Sequence, residues 1–419
     1  MPLEPTGSTG PTDRTGWSGT TARSAPKRIT VIGHPLAAEE NRLAFHGWVG
    51  VHVDLIVPSL WKARSLRHEY RTPASTPGAP GQPGMHPLGT LGTGRNSLFL
   101  WKGLGPLLRR LRPDAIYCWE EPWCLSTWQV TRIARTLGIP VIFYTAENRP
   151  KRLPWPFRIL LRAAFRACPA CVAPTEEISA RIRAWGFPGK VFVIPLWVRT
   201  RRSVRARAAD KCLAYVGRLI PLKRVDLLVE TMALLPEFRL RIIGDGPERW
   251  NLAELAHDLG LDARVDFRGH IENGRLEEGL EGASLLVMPT AENARQAEQF
   301  GKAAIEGVSC GLPVLASRTG NLTALAVVFP TVAARDLDSP EQMAEAVTGL
   351  FRDFPAETSL AEARKRADET YGPAAAARRL QAAFTQLLSS GTAAGNAAIG
   401  NPAATEMDPA RPALKGPHP

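Results

Sequence analysis

The sequence predicts an α/β protein made of two doubly wound domains that face each other across a ligand cleft. Three observations predict it. Short β-branched runs alternate with helical patterns along the chain, as in parallel sheets covered by helices. The length of 419 residues suffices for two cores of ordinary size. A polar, basic stretch at 199–211, "RTRRSVRARAADK", divides the alternation into halves.

Taken in order, residues 1–27 are rich in Thr, Gly, Ser and Pro. They bury too little apolar surface to offset ordering entropy and are expected to form a tail. The first domain is expected over 28–198, with strands at 28–33, 52–57, 114–118, 140–144, 170–174 and 191–194 and helices at 126–137, 156–167 and 176–185. Inside it, the Pro/Gly-rich tract 71–94 reads as a long structureless loop. Beyond the linker at 199–211, the second domain is expected over 212–372, with strands at 212–216, 239–243, 264–267, 285–288 and 313–316. Its helices are read at 224–234, 249–259, 301–309 and 340–353. A last helix at 373–389 is expected to return to the first domain, and 390–419, rich in Ala, Gly and Pro, to form a second tail. Two such sheets bind ligands at the carboxyl ends of their strands, which places the active site between the domains.

The formal net charge of +12 biases the protein towards anionic partners: nucleic acid, phosphorylated substrates or acidic membrane. No recognised nucleic-acid motif accompanies the charge, so nucleic acid is not expected as a partner. No stretch approaches the ~18 apolar residues of a spanning helix. Residues 1–27 lack the apolar segment of a secretory signal, and a cytoplasmic protein is expected. The six cysteines are scattered instead of framing a disulfide scaffold. Cys168 and Cys171 form a C-x-x-C, but their neighbours read as a buried strand and no second pair follows at metal spacing.

Three stretches of the second half carry the chemistry. In "YVGRLIPLKRVDLL" (215–228) a strand ends at Gly217, and Arg218 and Lys223 follow before a helix. Two cations beside a helix N-terminus suit an anion, although both can equally be solvated loop residues. In "LRIIGDGPERW" (240–250), Gly244 and Gly246 flank Asp245 in a tight turn that permits close backbone approach to a ligand. Arg249 stands where a dinucleotide fingerprint has its third glycine, so a plain βα turn is the competing reading. In "EQFGKAAIE" (298–306), Glu298 and Glu306 bracket the amides of a helix opening near Gly301. Those amides, from Phe300 to Lys302, suit a diphosphate, whereas the carboxylates suit hydroxyl groups. A nucleotide sugar has that layout. Acidic residues also favour helix N-termini for their own sake.

These stretches, with "VDFRGHI" (265–271) and "SCGLPVLAS" (309–317), occur in the order and spacing of a known family. The second half resembles the nucleotide-binding domain of a family 4 (group 1) glycosyltransferase, in which two Rossmann-like domains form the GT-B fold. Through "VDLIVPSLW" (53–61), "CWEEPW" (118–123), "FYTAENRPKRLPWPFR" (143–158) and "VFVIPLWV" (191–198) the first half resembles a bacterial subgroup of that family with an EQFG-type E-x7-E motif. The resemblance covers roughly 28–388. It implies that Arg218 and Lys223 neutralise the diphosphate and that Glu306 binds the ribose. It also implies that Glu298, with the Gln299, Phe300, Gly301 and Lys302 segment, holds the transferred sugar and its phosphate, that Gly217, Gly244, Asp245 and Gly246 shape the donor loops, and that Gly269, His270 and Ile271 pass near the base. Arg218, Lys223 and Glu298 are the implied catalytic residues.

The chain departs from the family at three places. Thr145-Ala146-Glu147-Asn148 stands where many relatives carry a histidine beside the donor sugar, and Glu147 or Asn148 is expected to serve the sugar instead. The turn after the first strand is reduced to "GHPLAAEEN" (33–41), and "RTGNLTAL" (318–325) lacks the family's Pro-Glu. The resemblance implies a retaining enzyme that takes a UDP- or GDP-sugar donor and a saccharide or lipid-linked acceptor in surface polysaccharide or glycolipid synthesis. A catalytically weak relative acting as a binding or scaffold component is the alternative. No cofactor or obligatory metal is expected: Asp336-Leu337-Asp338 has D-x-D spacing but reads as a loop and helix cap. "PFRILLRAAFRA" (156–167) places Arg158, Arg162 and Arg166 on one edge. It reads as a core-packed helix with a solvated basic edge, and contact with an anionic membrane on the inner face is the other reading.

Overall fold

The computed structural model describes residues 27–394 apart from 64–67, 73, 149–151, 200, 202, 205 and 293–297. The expected tails therefore lie outside the described residues, save Lys27 and 390–394.

The first domain runs β1 (Lys27–Ile32), β2 (Val51–Pro58), β3 (Leu60–Ala63), β4 (His68–Arg71), β5 (Gly84–Leu88), β6 (Thr90–Leu91), β7 (Leu100–Trp101), α1 (Leu104–Leu111), β8 (Ala115–Cys118), α2 (Leu125–Thr136), β9 (Val141–Tyr144), α3 (Trp155–Ala167), β10 (Ala170–Ala173), α4 (Glu176–Ala184) and β11 (Lys190–Val193). The second runs β12 (Cys212–Val216), α5 (Val225–Leu234), β13 (Arg239–Ile243), α6 (Arg249–Asp258), β14 (Val265–Gly269), α7 (Leu276–Leu280), β15 (Leu285–Met288), α8 (Lys302–Ser309), β16 (Val314–Ser317), α9 (Gly320–Val328), β17 (Val332–Arg335), α10 (Pro340–Arg352) and α11 (Glu357–Tyr371). A final helix, α12 (Pro373–Ala394), extends past the boundary expected at 389.

Both main sheets are parallel, which explains their strands' continuous apolar runs: each strand is covered on both faces. The first has the order β11-β10-β9-β8-β1-β2-β5 and the second β14-β13-β12-β15-β16-β17. The chain leaves β1 for β2 on one side and reaches β8 on the other, and β12 lies in the same way between β13 and β15. The carboxyl ends of these strand pairs are the topological switch points where open α/β sheets bind ligands. Helix α12 lays Ala376, Leu380 and Phe384 on the first domain's core beside Trp48 and Tyr117. The domains are thereby tied by a second crossing besides the linker.

Two sequence expectations are corrected here and a third is refined. The tract 71–94 is not structureless: it supplies β5, in parallel register with β2 from Asp54 opposite Gly84 to Pro58 opposite Leu88. Pro87 hid this strand, yet a proline is tolerated on the outermost strand of a sheet, where one edge needs no donor. The linker 199–211 is partly built into the fold, because Arg201 and Val204 are buried and the Val204 amide donates to the Cys310 carbonyl at 2.8 Å. The cap before α10 is Ser339, which accepts from the Gln342 amide, whereas Asp336 and Asp338 pair with Arg318 and Arg224.

Helix α3 packs Phe165 into the first domain's core with Leu161 against it and leaves Arg158, Arg162 and Arg166 exposed, in line with the core-packed reading. Only Ala164 and Phe165 of this helix are buried. Trp155 and Ile159 are 68% and 48% exposed alongside Arg158, Arg162 and Arg166, an apolar and basic face turned to solvent.

Candidate active site

Gly217 follows β12 and Gly244 follows β13, and the two loops are stitched together. The Gly217 amide donates to the Ile243 carbonyl at 3.0 Å and the Leu219 amide to the Asp245 carbonyl at 3.0 Å. A Cβ on Gly244 would lie 1.8 Å from the Gly217 carbonyl oxygen, and one on Gly246 would lie 2.2 Å from that of Leu219. The glycines expected to let a ligand approach therefore let one loop approach the other. Asp245 accepts from the Gly246 amide at 2.7 Å, fixing the turn.

Together these loops form one wall of a cleft of about 720 Å³ between the domains. Gly217, Arg218, Gly244, Asp245, His270, Ile271 and Glu306 line it from the second domain. Gly246 and Gly269 are not among the lining residues; Gly269 supports the wall by accepting from the Gly244 amide at 2.8 Å. The opposite wall holds Glu39, Glu40, Arg42, Glu69 and Tyr70. Its acidic side chains were not singled out in the sequence, because nothing local marks "AAEENRL" as cleft-lining. Arg218 is exposed to this cleft and its side chain has no partner among the described residues.

Glu306 sits in the second turn of α8, buried but lining the cleft. Beneath it lies Arg201, whose fully buried side chain reaches Glu306 at 3.4 Å and Glu277 at 3.0 Å. The Arg201 carbonyl accepts from Arg364 at 2.7 Å. Lys302 flanks Glu306 from the previous turn at 3.9 Å. The basic run 199–211 was the available signal for Arg201, but its partners lie 76 and 105 residues away.

At the mouth of α8 the geometry differs from the expected layout. Gly301 is the N-cap, left-handed at φ 78°, and a Cβ there would press on Leu325 at 2.7 Å. The Glu298 carboxylate folds back over the mouth and accepts from the Gly301 amide at 3.0 Å, while its other oxygen receives the Lys223 ammonium at 2.5 Å. The amides and the cation expected to face phosphate are thus occupied by Glu298. Burial pushes this carboxyl up, but the Lys223 charge and the Gly301 and Phe300 amides outweigh it and hold it below the usual value of 4.5. Gln299 is exposed, whereas the Phe300 ring is buried against Tyr371 at 5.8 Å.

The segment 318–325, where the sequence departs from its family, supports this loop. Asn321 donates to the Phe300 carbonyl at 2.6 Å, and Thr319 and the Gly320 amide donate to Glu292 at 2.6 and 3.2 Å. From the first domain, buried Asn148 reaches the Glu298 carbonyl at 3.5 Å, joining the two halves at the mouth. Glu147 is next to it and half-buried.

One further pair escaped the sequence reading. His34, just beyond β1, meets the buried Glu120, just beyond β8, at 2.8 Å through Nδ1 and at 2.6 Å through its amide. All six cysteines are free and buried; burial pushes the Cys168 thiol up to about 12, against thiolate chemistry at neutral pH.

Comparison with known proteins bears on this arrangement. A family model of group 1 glycosyl transferases matches residues 199–366, and one of glycosyltransferase family 4 matches 49–202. A D-inositol 3-phosphate glycosyltransferase of Mycobacterium avium is 33% identical over 180 residues, which is 40% of this chain and 40% of that protein. The alignment thus spans two fifths of that relative's length. The lipopolysaccharide core biosynthesis glycosyltransferase LpsE of Rhizobium meliloti is 29% identical over 297 residues, 68% of this chain and 78% of that protein. Among solved structures, Anabaena HepE in complex with UDP superposes with a TM-score of 0.61 at 16% identity, covering 86% of this chain and 100% of that one. The shared architecture is the GT-B fold.

Proposed function

We propose that the chain, whose residues 49–202 and 199–366 match the family 4 and group 1 glycosyltransferase models, is a GT-B glycosyltransferase that moves a hexose from a nucleoside diphosphate sugar to a hydroxyl of a saccharide or lipid-linked acceptor, with retention at the anomeric carbon. The observation that carries the reading is the convergence of Arg218, Glu306, His270 and the stitched glycine loops on one inter-domain cleft. The donor is a UDP- or GDP-sugar. UDP is the first to test, because the Anabaena protein of the same fold holds it.

In this mechanism the nucleoside lies along Gly244, His270 and Ile271, with Glu306 accepting from ribose hydroxyls while Arg201 fixes its position from below. The diphosphate approaches the α8 mouth, meeting Arg218 and drawing Lys223 away from Glu298. The released carboxylate turns to hydroxyls of the transferred sugar, and the vacated Gly301 and Phe300 amides add their dipoles to the phosphate. The bond from C1 to the diphosphate oxygen breaks as the bond from C1 to the acceptor oxygen forms, and the acceptor's proton passes to the leaving diphosphate. Arg218 and Lys223 accelerate the reaction because the negative charge they face grows towards the transition state. No metal is needed for this neutralisation.

The exposed indole and isoleucine of α3 among three arginines suit an anionic membrane surface, where a lipid-linked acceptor would reside. Surface polysaccharide or glycolipid assembly fits that placement. The test is to screen UDP, GDP and their hexose conjugates for thermal protection, then to follow transfer and product configuration by NMR. Protection with retained transfer supports the proposal. Protection without turnover supports the scaffold alternative, and absence of protection by every nucleotide refutes both.

A further inference from the structure

A second cavity, of 280 Å³, lies on the other flank of the α8 mouth. Trp119, Tyr144 and Trp197 of the first domain line it, with Asn41 at its rim and Lys302 of the second domain across from them. Trp119 and Tyr144 stand beyond β8 and at the end of β9, and Trp197 follows β11, so three strand ends supply the aromatics. The rings support one another, with Trp119 at 4.9 Å from Trp197 and 6.0 Å from Tyr144. Trp197 is anchored by its indole N–H to the Glu40 carbonyl at 3.1 Å.

The three aromatics are buried, yet the polar atoms of two of them are not satisfied internally. Neither the Trp119 indole N–H nor the Tyr144 hydroxyl donates to any described residue, and neither is sealed from solvent as the Trp101 indole is. Asn41 spends its amide N–H on the Pro35 carbonyl at 2.8 Å, which leaves its oxygen as an acceptor. Unpaired donors in a largely apolar wall are costly unless a ligand meets them. Flat aromatic faces, three donors including Lys302, and one acceptor match a hydroxylated six-membered ring, which presents C–H groups on one face and O–H groups around its edge. A long prenyl chain would strand those donors, and the cavity sits at the lower limit of small-molecule pockets, about 300 Å³.

We propose that this cavity is the acceptor subsite and that it holds the sugar ring whose hydroxyl receives the transferred hexose. The inference rests on the donor reading above, because Lys302 opens α8 and joins the two sites at its mouth. Trp119 and Trp197 stack on the ring, and Tyr144 donates to one of its hydroxyls.

Saturation-transfer NMR on the full chain with UDP or GDP and the methyl pyranosides of glucose, mannose and galactose tests it, since ring and nucleotide protons report separately. At least one pyranoside should receive saturation through its ring C–H protons. Trp197→Leu should weaken that ring about ten-fold, and Tyr144→Phe, which leaves the packing intact, about three-fold, with UDP signals retained. Ring binding unaltered in a folded Tyr144→Phe and Trp197→Leu pair would overturn the subsite. So would farnesyl phosphate taking saturation where no pyranoside does, or UDP signals without any ring signal. Ring signals with neither UDP nor GDP signals would overturn the donor reading and leave the cavity a sugar site without an acceptor role.

Discussion

Lys223 and Arg218 lie five positions apart on one loop and stand in opposite states. Lys223 is largely buried and closed onto Glu298, which also caps the amides of α8. Arg218 faces the open cleft without a partner among the described residues. The difference separates two tasks that motif reading merges into one anion site. Arg218 is ready to meet a phosphate as it arrives, whereas Lys223 must exchange one anion for another. The exchange frees Glu298 only when a diphosphate is present, which links donor binding to completion of the catalytic constellation.

The largest expected effect lies beneath this pair of states. Arg201→Met leaves Glu277 and Glu306 without the buried guanidinium between them, and a loss of about 3–5 kcal/mol in unfolding stability should follow. Urea denaturation of the ligand-free chain measures it. A loss under about 1 kcal/mol would mean that Glu306 does not depend on Arg201 for its place. Next, Lys223→Ala should lower kcat by about 10²–10³-fold, the scale of removing one preorganised charge donor from a transition state. Arg218→Ala should act earlier, weakening UDP binding by about ten-fold or more through loss of a charge-assisted contact. Calorimetry with UDP, beside steady-state kinetics, separates the two. If the variants affected kcat and UDP affinity alike, the contrast between an exchanging and a waiting cation would be wrong.

How far the sequence reveals this site follows from what each part needs. The second domain's loops are legible because glycines at 217, 244 and 246 and the acid at 298 are demanded by local geometry. The alternation of strands and helices is legible for the same reason. Long-range pairs are not: His34 with Glu120, and Arg201 with Glu277 and Glu306, are separated by 76 to 105 residues and leave no periodic mark. Strand β5 was masked by its Pro and Gly content, since only its place beside β2 makes it a strand. The state of Glu298 was illegible for a different reason. Residue spacing says that a carboxylate is near the amides, whereas its direction depends on whether Lys223 is already engaged.

That direction has a pH signature, the smallest of the expected effects and the most specific. The Glu298 carboxyl is held below its ordinary value of 4.5 in the folded chain. Its contribution is therefore fully present above the unfolded value and is lost as pH falls through the lower folded value. Glu298→Gln should cost about 1 kcal/mol near neutral pH, where the charge-assisted contacts to Lys223 and the Gly301 amide are weakened. As pH falls below 4.5 and through the lower folded value, the wild type progressively loses the same advantage, so the two unfolding midpoints should converge. Saturating UDP should also narrow the gap at neutral pH, because Lys223 then has the diphosphate as its partner. A constant difference from neutral pH to the acid range, indifferent to UDP, would show that the Lys223–Glu298 pair is not the resting state of the mouth, and the exchange mechanism would lose its premise.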